Sequence, residues 1–282
     1  MPRKFVISPT KLRTYLTCPA KYRLEYVDKL GRFYHRAQAG YAFGNSLHRA
    51  LDAFHNAGGA DAVTPQDLAA SLDEVWVAKG YEGTEQEAAY REEGMRILLE
   101  YHAAAVAAAG RDAEAAPDAA PPPPPPQLLW TEKTLRMDLS ADIALSGRVD
   151  RVDEHHDGAL EIVDYKSGRE QVAEEDVRNS LALSIYQILV KQKMPDRRVF
   201  ATLVALRTGA RASAELDEAE RDELRAACLA TGEEIRTRDW ENVLPVVNDH
   251  CPHCDFLPHC ARFWRQEARK AGVPPPPLAV GV

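Results

Sequence analysis

The segment LEIVDYKSGR, residues 160–169, places an acid and a base two residues apart in a run otherwise suited to a buried strand. Side chains alternate along a strand, so Ile162, Asp164 and Lys166 share one face. A second strand-like run, ADIALSGRVDRVD (141–153), precedes it across the short turn EHHDG (154–158). A hairpin centred near His156 pairs Asp150 with Ile162 and leaves Asp150 diagonal to Asp164, roughly 7–8 Å away on the same face. Two carboxylates converging in this way repel unless a cation sits between them. Oxygen donors of that kind suit Mg²⁺ or Mn²⁺ rather than zinc. Beside such an ion, Lys166 can hold an attacking water or stabilise charge building on a phosphate. The alternative reading of the same residues is a buried Asp–Lys ion pair at a strand end.

Cysteine spacing offers a second site. Cys251, Cys254 and Cys260 fall within the ten residues CPHCDFLPHC, and the other two cysteines are Cys18 and Cys228. Such density in a chain without a secretory signal points to metal rather than disulfides. Three thiolates need a fourth partner: His250, His253, His259 or a distant cysteine. Zinc held by three cysteines and a histidine is what the local spacing favours. Cys228, within ELRAACLATG, reads as a buried core thiol.

The elements that must position these residues follow from periodicity. Ser8-Pro9 reads as an N-cap and first helical residue, opening a helix to about Thr17, and Pro19 can open a second over AKYRLEYVDKL. Further helices are expected over GYAFGNSLHRALDAFHN, 65–79 and 85–109. A Pro-rich linker covers 111–126, ending in a run of prolines that suits a stiff spacer. Strands follow over QLLWTEKTLRMDL, ADIALSGRVDRVD and ALEIVDYKS, then a helix over 174–193, a strand over 198–207 and a helix over 217–237. The expected fold is α+β, a small mixed sheet flanked by helices in the order αβββαβ. A single domain over 1–272 and a disordered tail over 273–282 complete the expectation.

Composition narrows the function. The 282 residues are 45% hydrophobic and 28% charged, which is globular rather than disordered. The sequence contains no apolar run of membrane-spanning length and its N-terminus lacks a secretory signal, so a cytoplasmic protein is expected. A net charge of −8 argues against nucleic acid, but its distribution argues the other way. Residues 1–50 carry ten Lys/Arg against Glu25 and Asp28 alone, a local +8 that leaves −16 elsewhere. Tyr15, Tyr22, Tyr26, Phe33 and Tyr34 interleave with these cations, as a surface that tracks phosphates and stacks bases requires. A solvated helical face whose tyrosines pack the core would read the same way.

GRVDRVD followed by EIVDYKSG resembles motifs II and III of the PD-(D/E)XK nucleases, and more closely the RecB-like branch that includes AddB-type and CRISPR-adaptation nucleases. Two further motifs of that branch match in order. SPTKLRTYLTCPAKYRLEY supplies Ser8, Cys18, Pro19 and Tyr26, and Gly44-Asn-Ser-Leu-His48 supplies the first catalytic motif. The resemblance runs from Ser8 to about Phe263, leaving out an excursion over 58–127.

The resemblance implies a restriction-endonuclease-like core and a Mg²⁺- or Mn²⁺-dependent deoxyribonuclease, an exonuclease on single-stranded DNA or DNA ends in repair or recombination. It implies metal ligation by His48, Asp150, Asp164 and the Tyr165 carbonyl, with Lys166 positioning the water. Tyr186 is carried over from the motif on the following helix, and Glu132 reads either as an assisting acid or as a surface residue. Cys18 joins Cys251, Cys254 and Cys260 as ligands of a 4Fe–4S cluster, with zinc as the alternative, stapling the two chain ends. DNA is the implied partner, with room for a helicase or recombination protein and none for a membrane. One departure stands out: where the branch has Gln-x-x-x-Tyr, this chain has Ala182-Leu-Ser-Ile-Tyr186, with Gln187 displaced around the helix. That loss leaves a non-catalytic DNA- or partner-binding protein on the same fold as the alternative function.

Overall fold

The computed structural model describes residues 4–110, 124–272 and 274. Most of the expected linker (111–126) and almost all of the expected tail (273–282) therefore lie outside the described residues. Six strands form one mixed sheet: β1 (Phe5–Ile7), β2 (Gln127–Asp138), β3 (Ile143–Glu154), β4 (Leu160–Lys166), β5 (Val199–Ala205) and β6 (Arg211–Ala214). The path runs β1-β3-β4-β5-β6, with β2 on the other edge of β3. β1 runs parallel to β3, β5 parallel to β4, and the remaining pairs are antiparallel.

The helices are α1 (Pro9–Thr17), α2 (Pro19–Tyr22, continued by a π-helical turn over Arg23–Val27), α3 (Gly31–Tyr34), α4 (Ala39–Asn56), α5 (Pro65–Val75), α6 (Thr84–Gly110), α7 (Glu174–Arg178), α8 (Leu181–Lys193), α9 (Glu218–Thr237) and α10 (Leu257–Ala271). Ser8 caps α1 as its sequence implies, its hydroxyl accepting from Lys11 N at 3.3 Å. They divide between the two faces of the sheet. On one face α1, α8 and α9 bury Leu12, Ile188 and Ile235 against Leu145, Val149 and Ile162. On the other, α4, α5 and α6 bury Leu47, Leu72 and Ile97 against Val163, Tyr165 and Val204. Alternate residues of β4 thus enter opposite layers, which a strand covered on both sides requires.

The order β2-β3-β4, helix, β5 is as expected, but four details differ. β1 and β6 add to the expected strands; three or four residues are too few for alternation to register. The helix expected over 174–193 is two, because Asn179 and Ser180 interrupt it and the Ser180 hydroxyl caps α8 by accepting from Leu183 N. The helix opened by Pro19 becomes a π-turn after its first turn. The hairpin pairs Val152, not Asp150, with Ile162. That two-residue shift keeps the β4 side chains on their expected faces, and continuing the register by one step sets Asp150 across from Asp164.

β3 is shared in an uneven way. On one edge β1 covers residues 143–145 and β4 covers residues 151–154, so residues 146–150 face a gap between two partners. α8 packs over that gap, and a Cβ on Gly147 would meet Tyr186 Cε1 at 2.7 Å and Leu189 Cδ1 at 3.0 Å. Gly147→Val should therefore lower stability by ~1–3 kcal/mol through overpacking. Chemical denaturation followed by circular dichroism reads the shift.

Candidate metal centre

The gap in β3 is where the acidic residues collect. Pairing with β4 ends at Arg151–Val163, and the next β4 amide facing β3, Tyr165 N–H, instead donates to Asp150 Oδ2 at 3.1 Å. A carboxylate has taken the place of a ladder carbonyl. Alternation along β3 also slips here, since Val149 and Val152 both point into the same core layer. Across from Asp150, between the Thr131–Arg151 and Lys133–Val149 pairs, Glu132 adopts a left-handed backbone with φ of 44°. Such a conformation is costly for a non-glycine residue and concentrates at functional sites.

Helix α4 brings in His48. It comes close to the end of β4 at Gly44, where a Cβ would lie 3.0 Å from Ser167 Oγ. One helical turn further on, His48 Nδ1 lies 3.3 Å from Asp150 Oδ2 and Nε2 lies 3.1 Å from the Tyr165 carbonyl oxygen. Both neighbours accept hydrogen bonds, an arrangement that favours the protonated ring. Burial pulls the His48 pKa down, but the Asp150 carboxylate, helped by Asp164 and Glu132, outweighs it and the net shift is upward from 6.5.

Asp164 is buried, with 6% exposure, and its carboxyl is held above its ordinary value first by burial and then by the Asp150 charge. Lys166 Nζ lies 2.5 Å from Asp164 Oδ2, the ion pair that the sequence allowed as the simpler reading. That contact lacks hydrogen-bond geometry, and Oδ2 has no hydrogen-bond partner among the described residues. Glu132 pairs with Arg148 Nε at 3.0 Å, and its carboxyl is raised chiefly by burial.

These donors fit a hard divalent cation. His48, Glu132 and Asp150 present ligand atoms within 4.8 Å of one another, the one such trio of His, Cys, Asp and Glu among the described residues. Asp150 faces Nδ1 of His48 and the Tyr165 carbonyl faces Nε2, so an ion here would take one of the two ring nitrogens. Glu132, which from the sequence reads either as an assisting acid or as a surface residue, presents its carboxylate within this trio. Its signal was only its place on the strand next to GRVDRVD. Asp164 stands beside the trio, turned to Lys166.

Tyr186 reaches the same place from α8, its hydroxyl pKa raised by burial and then by the Asp164 and Asp150 charges. Gln187 does not replace the glutamine missing at Ala182. It is 1% exposed and accepts from Leu216 N at 2.9 Å, away from the carboxylates.

The cysteine sites also converge. Cys18, at the junction of α1 and α2, lines one mostly apolar cavity of about 40 Å³ with Cys251, Cys254 and Cys260. Asn248 Nδ2 donates to Thr17 O at 3.0 Å and draws the two chain ends together. All four are free thiols; burial, then the neighbouring sulfurs, pushes Cys260 up to about 12. His250 lines the cavity as well, whereas His259 packs edge-on against Tyr34. Cys228 is buried as expected, 3% exposed.

The basic N-terminal stretch is in part structural. Tyr15 and Tyr22 are buried against Trp240, and Lys11 Nζ donates to Val6 O at 2.7 Å. Phe33 remains 67% exposed, with the Arg32 guanidinium 4.5 Å from its ring.

Residues 6–261 match the PD-(D/E)XK nuclease superfamily, and the chain belongs to that family. No curated protein matches the chain. Among solved structures it is similar to one titled "Crystal structure of SSO0001", at 12% identity and a TM-score of 0.38, over 93% of this chain and 88% of that one. No described helix is long and apolar enough to cross a membrane.

The charge on buried Asp164 destabilises the metal-free fold. Its folded pKa is raised, so stability is lost as pH climbs from the ordinary 3.8 through the folded value. Asp164→Asn should then stabilise the metal-free protein at neutral pH, with the gain vanishing below 3.8. Urea denaturation in chelator across that range measures it.

Proposed function

We propose that the protein is a Mg²⁺- or Mn²⁺-dependent deoxyribonuclease, an exonuclease acting on single-stranded DNA or DNA ends in repair or recombination. The observation that carries this reading is the convergence of His48, Glu132 and Asp150 at the split of β3, with Asp164 and Lys166 alongside. His48, Asp150, Asp164 and the Tyr165 carbonyl would hold the ion, with Glu132 as a further carboxylate. A divalent ion there supplies Lewis-acid polarisation of a phosphate and acidifies its water. His48 would ligate through a ring nitrogen that carries no proton, so metal affinity should rise with pH. Lys166, on a side chain 40% exposed, faces both Asp164 and solvent, where it would orient the attacking water and offset charge building on the phosphate. Tyr186, kept neutral, closes the site on the α8 side.

The four cysteines that line one cavity would hold a 4Fe–4S cluster, with zinc as the alternative. The cluster closes a loop running from Cys18 to Cys251 and makes one domain of residues 1–272.

End-labelled single-stranded DNA incubated with Mg²⁺ or Mn²⁺, against a chelator control, tests the activity. Lys166→Ala should slow cleavage by a factor of ~100 or more while the protein still folds; cleavage at the wild-type rate removes Lys166 from the mechanism. Protein purified without oxygen should be brown, with about four irons and four sulfides per chain. Replacing Cys18 should bleach it and cost on the order of 5 kcal/mol by releasing the loop, whereas replacing Cys228 should leave the colour unchanged. Stoichiometric zinc in a colourless preparation would reverse the cluster assignment without touching the nuclease site.

A further inference from the structure

Behind the metal donors lies a buried polar network that the proposed chemistry does not use. Arg151 Nη1 lies 2.7 Å from His55 Nε2, 2.8 Å from the Tyr101 hydroxyl and 3.1 Å from the Tyr165 hydroxyl. The Tyr101 hydroxyl is also 2.9 Å from His55 Nε2 and 3.1 Å from the Tyr165 hydroxyl. On its other side the Arg151 guanidinium grips both carboxylate oxygens of Asp153, which is 1% exposed. A guanidinium only donates, so His55 Nε2 accepts and the His55 proton sits on Nδ1.

A buried ion pair is a poor device for stability alone, because apolar residues of similar volume do as well or better. Its location suggests another role. Arg151 and Val163 form the last pair of the β3–β4 ladder, and Tyr165 lies two residues beyond. The Tyr165 side chain enters the network while its main chain serves the metal donors, N–H to Asp150 and carbonyl to His48. Turning that residue would move both contacts at once. Tyr101 comes from α6, within the excursion outside the four motifs, so a segment distant in sequence grips the site from behind.

We infer that Tyr101, His55, Arg151 and Asp153 form a positioning network that orients Tyr165, and through it Asp150 and His48, so that helix α6 sets how tightly the site holds a divalent ion. The inference rests on the nuclease reading for the identity of the ion, and on the hydrogen bonds alone for the positioning. Removing an outer partner of this kind costs roughly 10–100-fold in metal affinity or activity.

Tyr101→Phe is the cleanest test, since it deletes one hydroxyl and keeps the ring edge-on to Phe54, His55 and Tyr165. The variant should unfold at the wild-type temperature yet bind Mn²⁺ at least ~10-fold more weakly by paramagnetic resonance titration. Its kcat on DNA should fall with KM unchanged. Without metal, heteronuclear NMR of ring-labelled histidine should show shifted His48 resonances. His55→Gln, which returns an acceptor to Arg151, should keep most of the affinity that His55→Leu loses. Wild-type Mn²⁺ affinity and unmoved His48 resonances in Tyr101→Phe would overturn the inference, as would equal losses from the two His55 variants. A wild-type chain that binds no Mn²⁺ would sink the nuclease reading, and the metal-free resonances would still decide the network.

Discussion

Two carboxylates face each other across the end of an antiparallel ladder, and the surrounding structure answers the repulsion between them. Asp150 offsets its charge with the Tyr165 amide and the His48 ring. Asp164, the more buried, pairs with Lys166 in a contact that leaves Oδ2 without a hydrogen bond among the described residues. A buried carboxylate in that state raises its pKa or takes a cation. Residues that serve function at a cost to stability are a recurrent feature of active sites.

The backbone makes room for this concentration of charge. β3 changes partner along one edge, from β1 to β4, and the donors gather where neither strand covers it. The slipped alternation near Asp150 and the left-handed Glu132 opposite turn side chains that regular pleating would hide. Bulges and strained residues next to active sites commonly do this. Helices close the gap from both faces: α4 presents His48 from one and α8 presents Tyr186 from the other.

Two ties hold that frame together far from the carboxylates. The network around Arg151 fixes β3, β4, α4 and α6 behind the site. The cysteine cavity brings the start of the chain to residues 251–260. Tyr15 and Tyr22 pack with Trp240 in the sheet core rather than forming a binding surface.

Local signals were enough for much of this. The acidic and basic positions of GRVDRVD and DYKSG, the helix carrying His48, the Ser8 cap and the three long strands all follow from spacing and periodicity, which depend on neighbours a few residues apart. The face of each β4 side chain was legible for the same reason, and survived a two-residue error in the hairpin register because strand parity is unchanged by an even shift. What only the tertiary structure decided involves partners far apart in the chain. Glu132 joins His48 because β2 pairs with β3 along its whole length, and no local pattern in TEKTL announces that. Gln187 is turned to Leu216, and Lys11 to Val6, by contacts that composition cannot express. Tyr101 reaches Tyr165 only once α6 has packed against α4 and the sheet, because a hydrogen bond between residues 64 positions apart is set by packing and not by sequence neighbours.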